Sequence, residues 1–203
     1  MTDGTGGLRY VALGDSYTIG TSVAEADRWP NQLVVRLGPG RLELAANLGL
    51  NGFTSRDVVD VELPRLESLR PEFATLLVGV NDVVRGVDPE TYRTNTAKVL
   101  DTLRTFVPAT RIVVVATPDY TVTPQGAAYG DPAQQSAGIR TANAILQELA
   151  ESRGIAFVDI YDLSLRAATD RSLVAADGLH PSGAQYALWV DRIAPVVEQL
   201  LSR

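Results

Sequence analysis

Two six-residue runs constrain this chain most. "FATLLV" (Phe73 to Val78) and "RIVVVA" (Arg111 to Ala116) carry almost no polar interruption. A strand with one wet face alternates apolar and polar residues. A strand that is apolar at nearly every position is covered on both faces, as in a parallel sheet under helices. Three further runs also read as buried strands: "LRYVAL" (Leu8 to Leu13), "RLELAA" (Arg41 to Ala46) and "GIAFVDI" (Gly154 to Ile160), and of the five runs three are nearly continuous in apolar residues. Helical patterns lie between them. "DRWPNQLVVRLG" offers Asp27 as an N-cap and Gly38 as a stop. "TSRDVVDVELPRLESL" carries Pro64, where a kink or break is expected. Asp88-Pro89 and Asp131-Pro132 each open a longer helix with a cap followed by proline at the first helical position. A last helix follows Pro181, with Pro195 as an expected kink. The alternation predicts one domain over residues 1–203. Its class is α/β, three layers in α/β/α order around a five-stranded parallel sheet, flavodoxin-like.

Composition removes several functions. The chain has 203 residues, no cysteine and one histidine. Thiol nucleophiles and disulfides are excluded, and no metal site or cofactor is expected. A net charge of −6 does not suit a nucleic-acid surface. No apolar run approaches the ~20 residues of a membrane-spanning helix, so no stable membrane insertion is expected. The opening "MTDGTGG" lacks the basic and apolar parts of a leader, which points to a cytoplasmic protein. Nothing in the chain sets an oligomeric state.

Ligands of open parallel sheets bind beyond the carboxyl ends of the strands. Those ends carry the polar oddities of this sequence. "GDSYTIG" with Ser16 follows the first strand. "NLGLNGFTS" with Gly49, Asn51, Gly52 and Thr54 follows the second. "GVNDVVRG" with Asn81 and Asp82 follows the third. The long "TPDYTVTPQGAAYG" loop (Thr117 to Gly130) follows the fourth, and loops of that length are functional or mobile. "DGLHP", with Asp177 and the lone His180, follows the fifth. All these groups therefore share one rim. A serine hydroxyl becomes a nucleophile beside a base. Imidazole is the side chain whose ordinary pKa, about 6.5, suits that task. A carboxylate three residues away can hold its tautomer. An asparagine amide and free backbone N–H groups can receive a developing oxyanion.

Four of these blocks, in order, resemble the SGNH hydrolase superfamily of GDSL-type esterases and lipases: "GDSYTIG", "NGFTS", "GVND" and "DGLHP". The resemblance spans nearly the whole chain. It implies Ser16 as nucleophile, His180 as base and Asp177 as its orienting partner. It implies an oxyanion hole made of the Ser16 N–H, the Gly52 N–H and the Asn81 amide. Tyr17 stands where leucine is usual, which bears on substrate shape. The implied function is a serine esterase acting on a small-molecule substrate: short- to medium-chain acyl esters, with thioesters or lysophospholipids as variants. A carbohydrate O-deacetylase of the same fold is the alternative, and an idle binding module is a third. Asp15 and Asp82 are expected to fix loops through nearby N–H groups. Trp29 and Trp189 are expected in the core. Tyr120 and Tyr129, in the long loop, are candidates to touch substrate rather than pack inside.

Overall fold

The computed structural model describes residues 6–202. The opening MTDGT, read above for a leader, lies outside the described residues. The five apolar runs form strands β1 (Leu8–Gly14), β2 (Leu42–Asn47), β3 (Phe73–Leu77), β4 (Ile112–Val115) and β5 (Ala156–Val158). All four pairings are parallel, in the order β2-β1-β3-β4-β5. That is the flavodoxin-like order, with its switch point between β1 and β3. The helices are α1 (Ser16–Ile19), α2 (Trp29–Leu37), α3 (Ser55–Asp57), α4 (Leu66–Leu69), α5 (Val80–Val84), α6 (Pro89–Phe106), α7 (Pro132–Glu151), α8 (Tyr161–Leu165) and α9 (Gly183–Leu201).

Strand alternation sorts the core into two layers. Tyr10, Ala12, Phe73, Leu77, Val113 and Val115 point to the face covered by α2 and α9. Val11, Leu13, Ala74, Leu76, Ile112 and Val114 point to the face covered by α6 and α7. Trp29 and Trp189 are fully buried in the first layer, as expected. Helices on both faces explain why β3 and β4 are buried at every position. The edge strand β5 is shorter than the Gly154 to Ile160 run that announces it.

Local signals set most helix starts. Asp88 accepts a hydrogen bond from the Thr91 N–H, and Asp131 from the Gln134 N–H, each ahead of a proline in the first turn. Asp27 does not cap α2, contrary to expectation. It closes a 3₁₀ turn (Glu25–Asp27), and the N-cap position falls on Arg28, which makes no side-chain cap bond. The Pro64 segment breaks earlier than the proline itself. A π-turn (Val58–Glu62) runs into a 3₁₀ turn (Leu63–Arg65) before α4 begins. Proline has no N–H for the residue four before it, so the ladder is already altered one turn upstream. α9 runs through Pro195 within one continuous helical span.

Candidate active site

The sharp turn after β1 is the starting point. Gly14 has φ +146°, and a Cβ there would sit 2.0 Å from the Leu77 carbonyl oxygen of the neighbouring strand. Only glycine lets the chain turn this close to β3. Asp15 then caps α1 by accepting the Tyr17 N–H at 2.9 Å, so it has the loop-fixing role expected of it. Ser16 is thereby the first residue of α1, with its side chain at the rim and its N–H in an uncapped helical position.

The "DGLHP" turn brings a base to this hydroxyl from 164 residues away. His180 Nε2 lies 3.0 Å from Ser16 Oγ. His180 Nδ1 lies 2.6 Å from Asp177 Oδ2. The other carboxylate oxygen, Oδ1, accepts the backbone N–H groups of Leu179 (2.9 Å) and His180 (3.0 Å). Ser22 Oγ donates to Asp177 Oδ2 at 2.6 Å. Desolvation pushes the Asp177 carboxyl up, but the bonds from Ser22, Leu179 and His180 outweigh it and hold it well below the usual carboxylate range. Asp177 therefore stays ionised beside the imidazole. The Tyr17 ring packs behind His180, with centroids 5.4 Å apart, and leans on Trp189 at 6.4 Å. The unusual tyrosine thus supports the imidazole from the core side.

The loop after β2 is held by residues of α5 and the turn that follows it. Asn81 Nδ2 donates to the Phe53 carbonyl at 2.9 Å, which leaves its second amide hydrogen free. Asp82 accepts both the N–H and the hydroxyl of Ser55. The Arg85 guanidinium donates to the Gly52 carbonyl at 2.7 Å. Gly52 itself has φ +80°, a conformation that glycine adopts without a Cβ penalty, and it lines the cleft. Among the described residues, the N–H groups of Ser16 and Gly52 have no acceptor within the protein. Gly49 is different: its N–H is taken by Asn47 Oδ1, and it does not line the cleft. Ser16, Gly52 and Asn81 line one cleft of about 210 Å³ together with His180, Val80, Val84 and Leu179. The structure therefore brings the five residues of the expected triad and oxyanion hole, Ser16, Gly52, Asn81, Asp177 and His180, to the same rim.

Tyr120 departs from expectation. It is 2% exposed and joins the core layer under α9, while its hydroxyl donates to Gln135 Oε1 at 2.9 Å. Its ring still forms a wall of the cleft, and Tyr129 stacks on it edge-to-face at 5.9 Å. Tyr129 is 45% exposed at the mouth. The cause of the burial is Asp119. That carboxylate accepts bonds from Ser136, Tyr161 and Thr121, and its N–H donates to Ser164, so the loop is tied down on three sides. The loop also donates the Gln125 N–H to the Gly178 carbonyl, next to the histidine. Ser22, Arg85 and Asp119 were not singled out from the sequence. Apart from Thr121, two residues past Asp119, their partners lie too far along the chain for any local pattern to show them.

A family model described as the GDSL-like lipase/acylhydrolase family matches residues 12–188. The chain belongs to that family, which places it among the hydrolases. The fold is similar to that of LAE5, an alpha/beta hydrolase enzyme from the metagenome of Lake Arreo, Spain, with a TM-score of 0.72, 20% identity and 97% of each chain covered. It is similar to Axe2-W215I, an acetyl xylan esterase from Geobacillus stearothermophilus, with a TM-score of 0.73, 16% identity and 96% of each chain covered. It is also similar to the psychrotrophic esterase EstA from Pseudoalteromonas sp., with a TM-score of 0.71 and 17% identity. That match covers 96% of this chain and 99% of the other. No curated protein matches the chain by sequence. Among the described residues, no helix is long and apolar enough to cross a membrane.

Proposed function

We propose that this protein is a serine esterase for short- to medium-chain acyl esters. The observation that carries this is the continuous row Ser16 Oγ, His180 Nε2, His180 Nδ1, Asp177 Oδ2, with spacings of 3.0 and 2.6 Å. Nε2 accepts the hydroxyl proton as Ser16 Oγ bonds to the ester carbonyl carbon. Charge moves to the carbonyl oxygen, which meets the Ser16 and Gly52 N–H groups and the free hydrogen of the Asn81 amide. The tetrahedral adduct collapses, the C–O bond to the alcohol breaks, and His180 gives its proton to the leaving oxygen. Water then repeats the sequence on the acyl-enzyme, releasing the acid and restoring Ser16. Asp177 keeps the imidazole in the tautomer with the proton on Nδ1 and stabilises the imidazolium.

The second function supported by an observation is O-deacetylation of a carbohydrate. Tyr129 presents a half-exposed ring at the mouth of the cleft, where a sugar face can stack. The fold-similar Axe2 protein is an acetyl xylan esterase. Parallel assays of p-nitrophenyl acetate, p-nitrophenyl butyrate and acetylated xylo-oligosaccharides decide between the two. The esterase function is supported if the simple esters give the higher kcat/KM. It is displaced by the deacetylase if the sugars do so by tenfold or more. It fails outright if nothing is hydrolysed.

A further inference from the structure

Three residues past α1, Ser22 sits in the left-handed region with φ +66°. Positive φ costs a residue with a Cβ free energy, and an observed departure of this kind marks a place where surrounding contacts enforce the backbone. What the conformation achieves is visible in its bonds. Ser22 Oγ donates at 2.6 Å to Asp177 Oδ2, the same oxygen that faces His180 Nδ1. The residue before it, Thr21, donates its hydroxyl to Asn51, on the rim of the cleft beside Gly52. The turn that ends the nucleophile's own helix thus reaches both loops that complete the site.

We infer that Ser22 is a positioning residue for the triad, acting through Asp177. This rests on the esterase function proposed above. Asp177 Oδ1 is fixed by two backbone N–H groups of its own turn, which leaves rotation of the carboxylate about that anchor as the freedom to be removed. The Ser22 hydroxyl removes it by fixing Oδ2 from the turn that follows α1. It also spreads the charge of the carboxylate over a second donor, and so moderates the pull of Asp177 on the imidazole proton. No neighbouring group duplicates the bond, because the Ser22 side chain comes from the α1 side and the other donors come from residues 179 and 180.

Two substitutions separate this from a merely structural turn. Ser22→Gly deletes the hydroxyl and relieves the backbone cost. Ser22→Ala deletes the hydroxyl and keeps that cost. The expected result is that both variants lose kcat on p-nitrophenyl butyrate by about tenfold or more, with KM within about twofold, the scale of one lost bond to a charged acceptor. Their thermal stabilities are expected to differ, with the Gly variant at or above the wild type and the Ala variant at or below it. The lone histidine supplies a second readout. Its Nδ1–H proton resonance is expected to move downfield in both variants, as Oδ2 is freed from its competing donor. Wild-type kcat and an unmoved resonance in Ser22→Gly overturn the inference, whatever the Ala variant does. Ser16→Ala run alongside keeps the two levels apart. If that variant remains active the esterase function itself falls, and if it is dead while Ser22→Gly is unimpaired only the role of Ser22 falls.

Discussion

His180 Nε2 lies 3.0 Å from Ser16 Oγ, across 164 residues of chain. The contact exists because β1 is an interior strand, between β2 and β3, and its end faces the turn that precedes α9. Both side chains are at the rim, so neither supplies core volume. Ser16→Ala and His180→Ala are expected to fold with nearly unchanged Tm. Each is expected to lose on the order of 10⁶ in kcat, since triad members act as a unit. Asp177→Asn is expected to lose less, on the order of 10⁴, because an asparagine fills the space but favours the wrong tautomer. Steady-state kinetics on p-nitrophenyl butyrate, with circular dichroism on the same samples, checks all three.

The Asn81 amide is already half committed to the Phe53 carbonyl, and its remaining hydrogen is the proposed donor to the oxyanion. Asn81→Ala is expected to lower kcat by about 10²- to 10³-fold, the cost of one oxyanion donor, with a small change in KM. A fall confined to KM would show that the amide binds substrate and does not act on the transition state.

Two buried acids near Ser16 set an alkaline limit on stability. Burial pushes the Asp15 carboxyl up to about 8, and the Glu62 carboxyl, which accepts the Gly14 N–H at 3.0 Å, up to about 9. In the unfolded chain both titrate near their ordinary values of 3.8 and 4.5. The folded state therefore holds protons that the unfolded state has lost. Stability is complete below about pH 4 for these groups and falls as pH rises through about 8 to 9. Asp177 works the other way, and its contribution is lost as pH falls below the usual carboxylate range. Glu62→Gln keeps an acceptor for Gly14 without a charge to desolvate. Its Tm advantage over the wild type is expected to grow from pH 5 to pH 9. A difference that stays constant over that range contradicts the assignment.

Val80, Val84 and Leu179 are aliphatic lining of the cleft, and Val84 also lines a neighbouring cavity of about 280 Å³. Under the proposed function this lining takes only a few methylenes of the acyl chain. Each methylene buried is worth about 0.8 kcal/mol, or about fourfold in kcat/KM. Across p-nitrophenyl esters from acetate to palmitate, kcat/KM is expected to rise and then level off or fall at medium length. Val84→Ala is expected to move that turning point to a longer chain. A steady rise to palmitate in the wild type contradicts this view of the cleft.

The sheet and the five rim residues were legible in the sequence for a physical reason. Strands buried on both faces are written as continuous apolar runs, and the groups that follow them must share one edge. The supporting contacts were not legible. Ser22 meets Asp177 across 155 residues, Arg85 meets Gly52 across 33, and Tyr161 meets Asp119 across 42. Such pairings depend on how loops return to the sheet, which no local spacing encodes. The burial of Tyr120 was missed for the same reason, since it follows from the ties that Asp119 makes. Asp27 failed as a cap because the chain enters α2 through a 3₁₀ turn, a detail of backbone path that its residue type does not reveal.

The central claim is that Ser16 is a nucleophile activated by His180. Its most direct test is labelling of the folded protein with a fluorophosphonate, followed by mass spectrometry of the peptides. The expected result is one adduct per chain on Ser16, absent in Ser16→Ala and formed far more slowly in His180→Ala. A folded wild-type protein that stays unlabelled, or that carries the adduct on another serine, would contradict it.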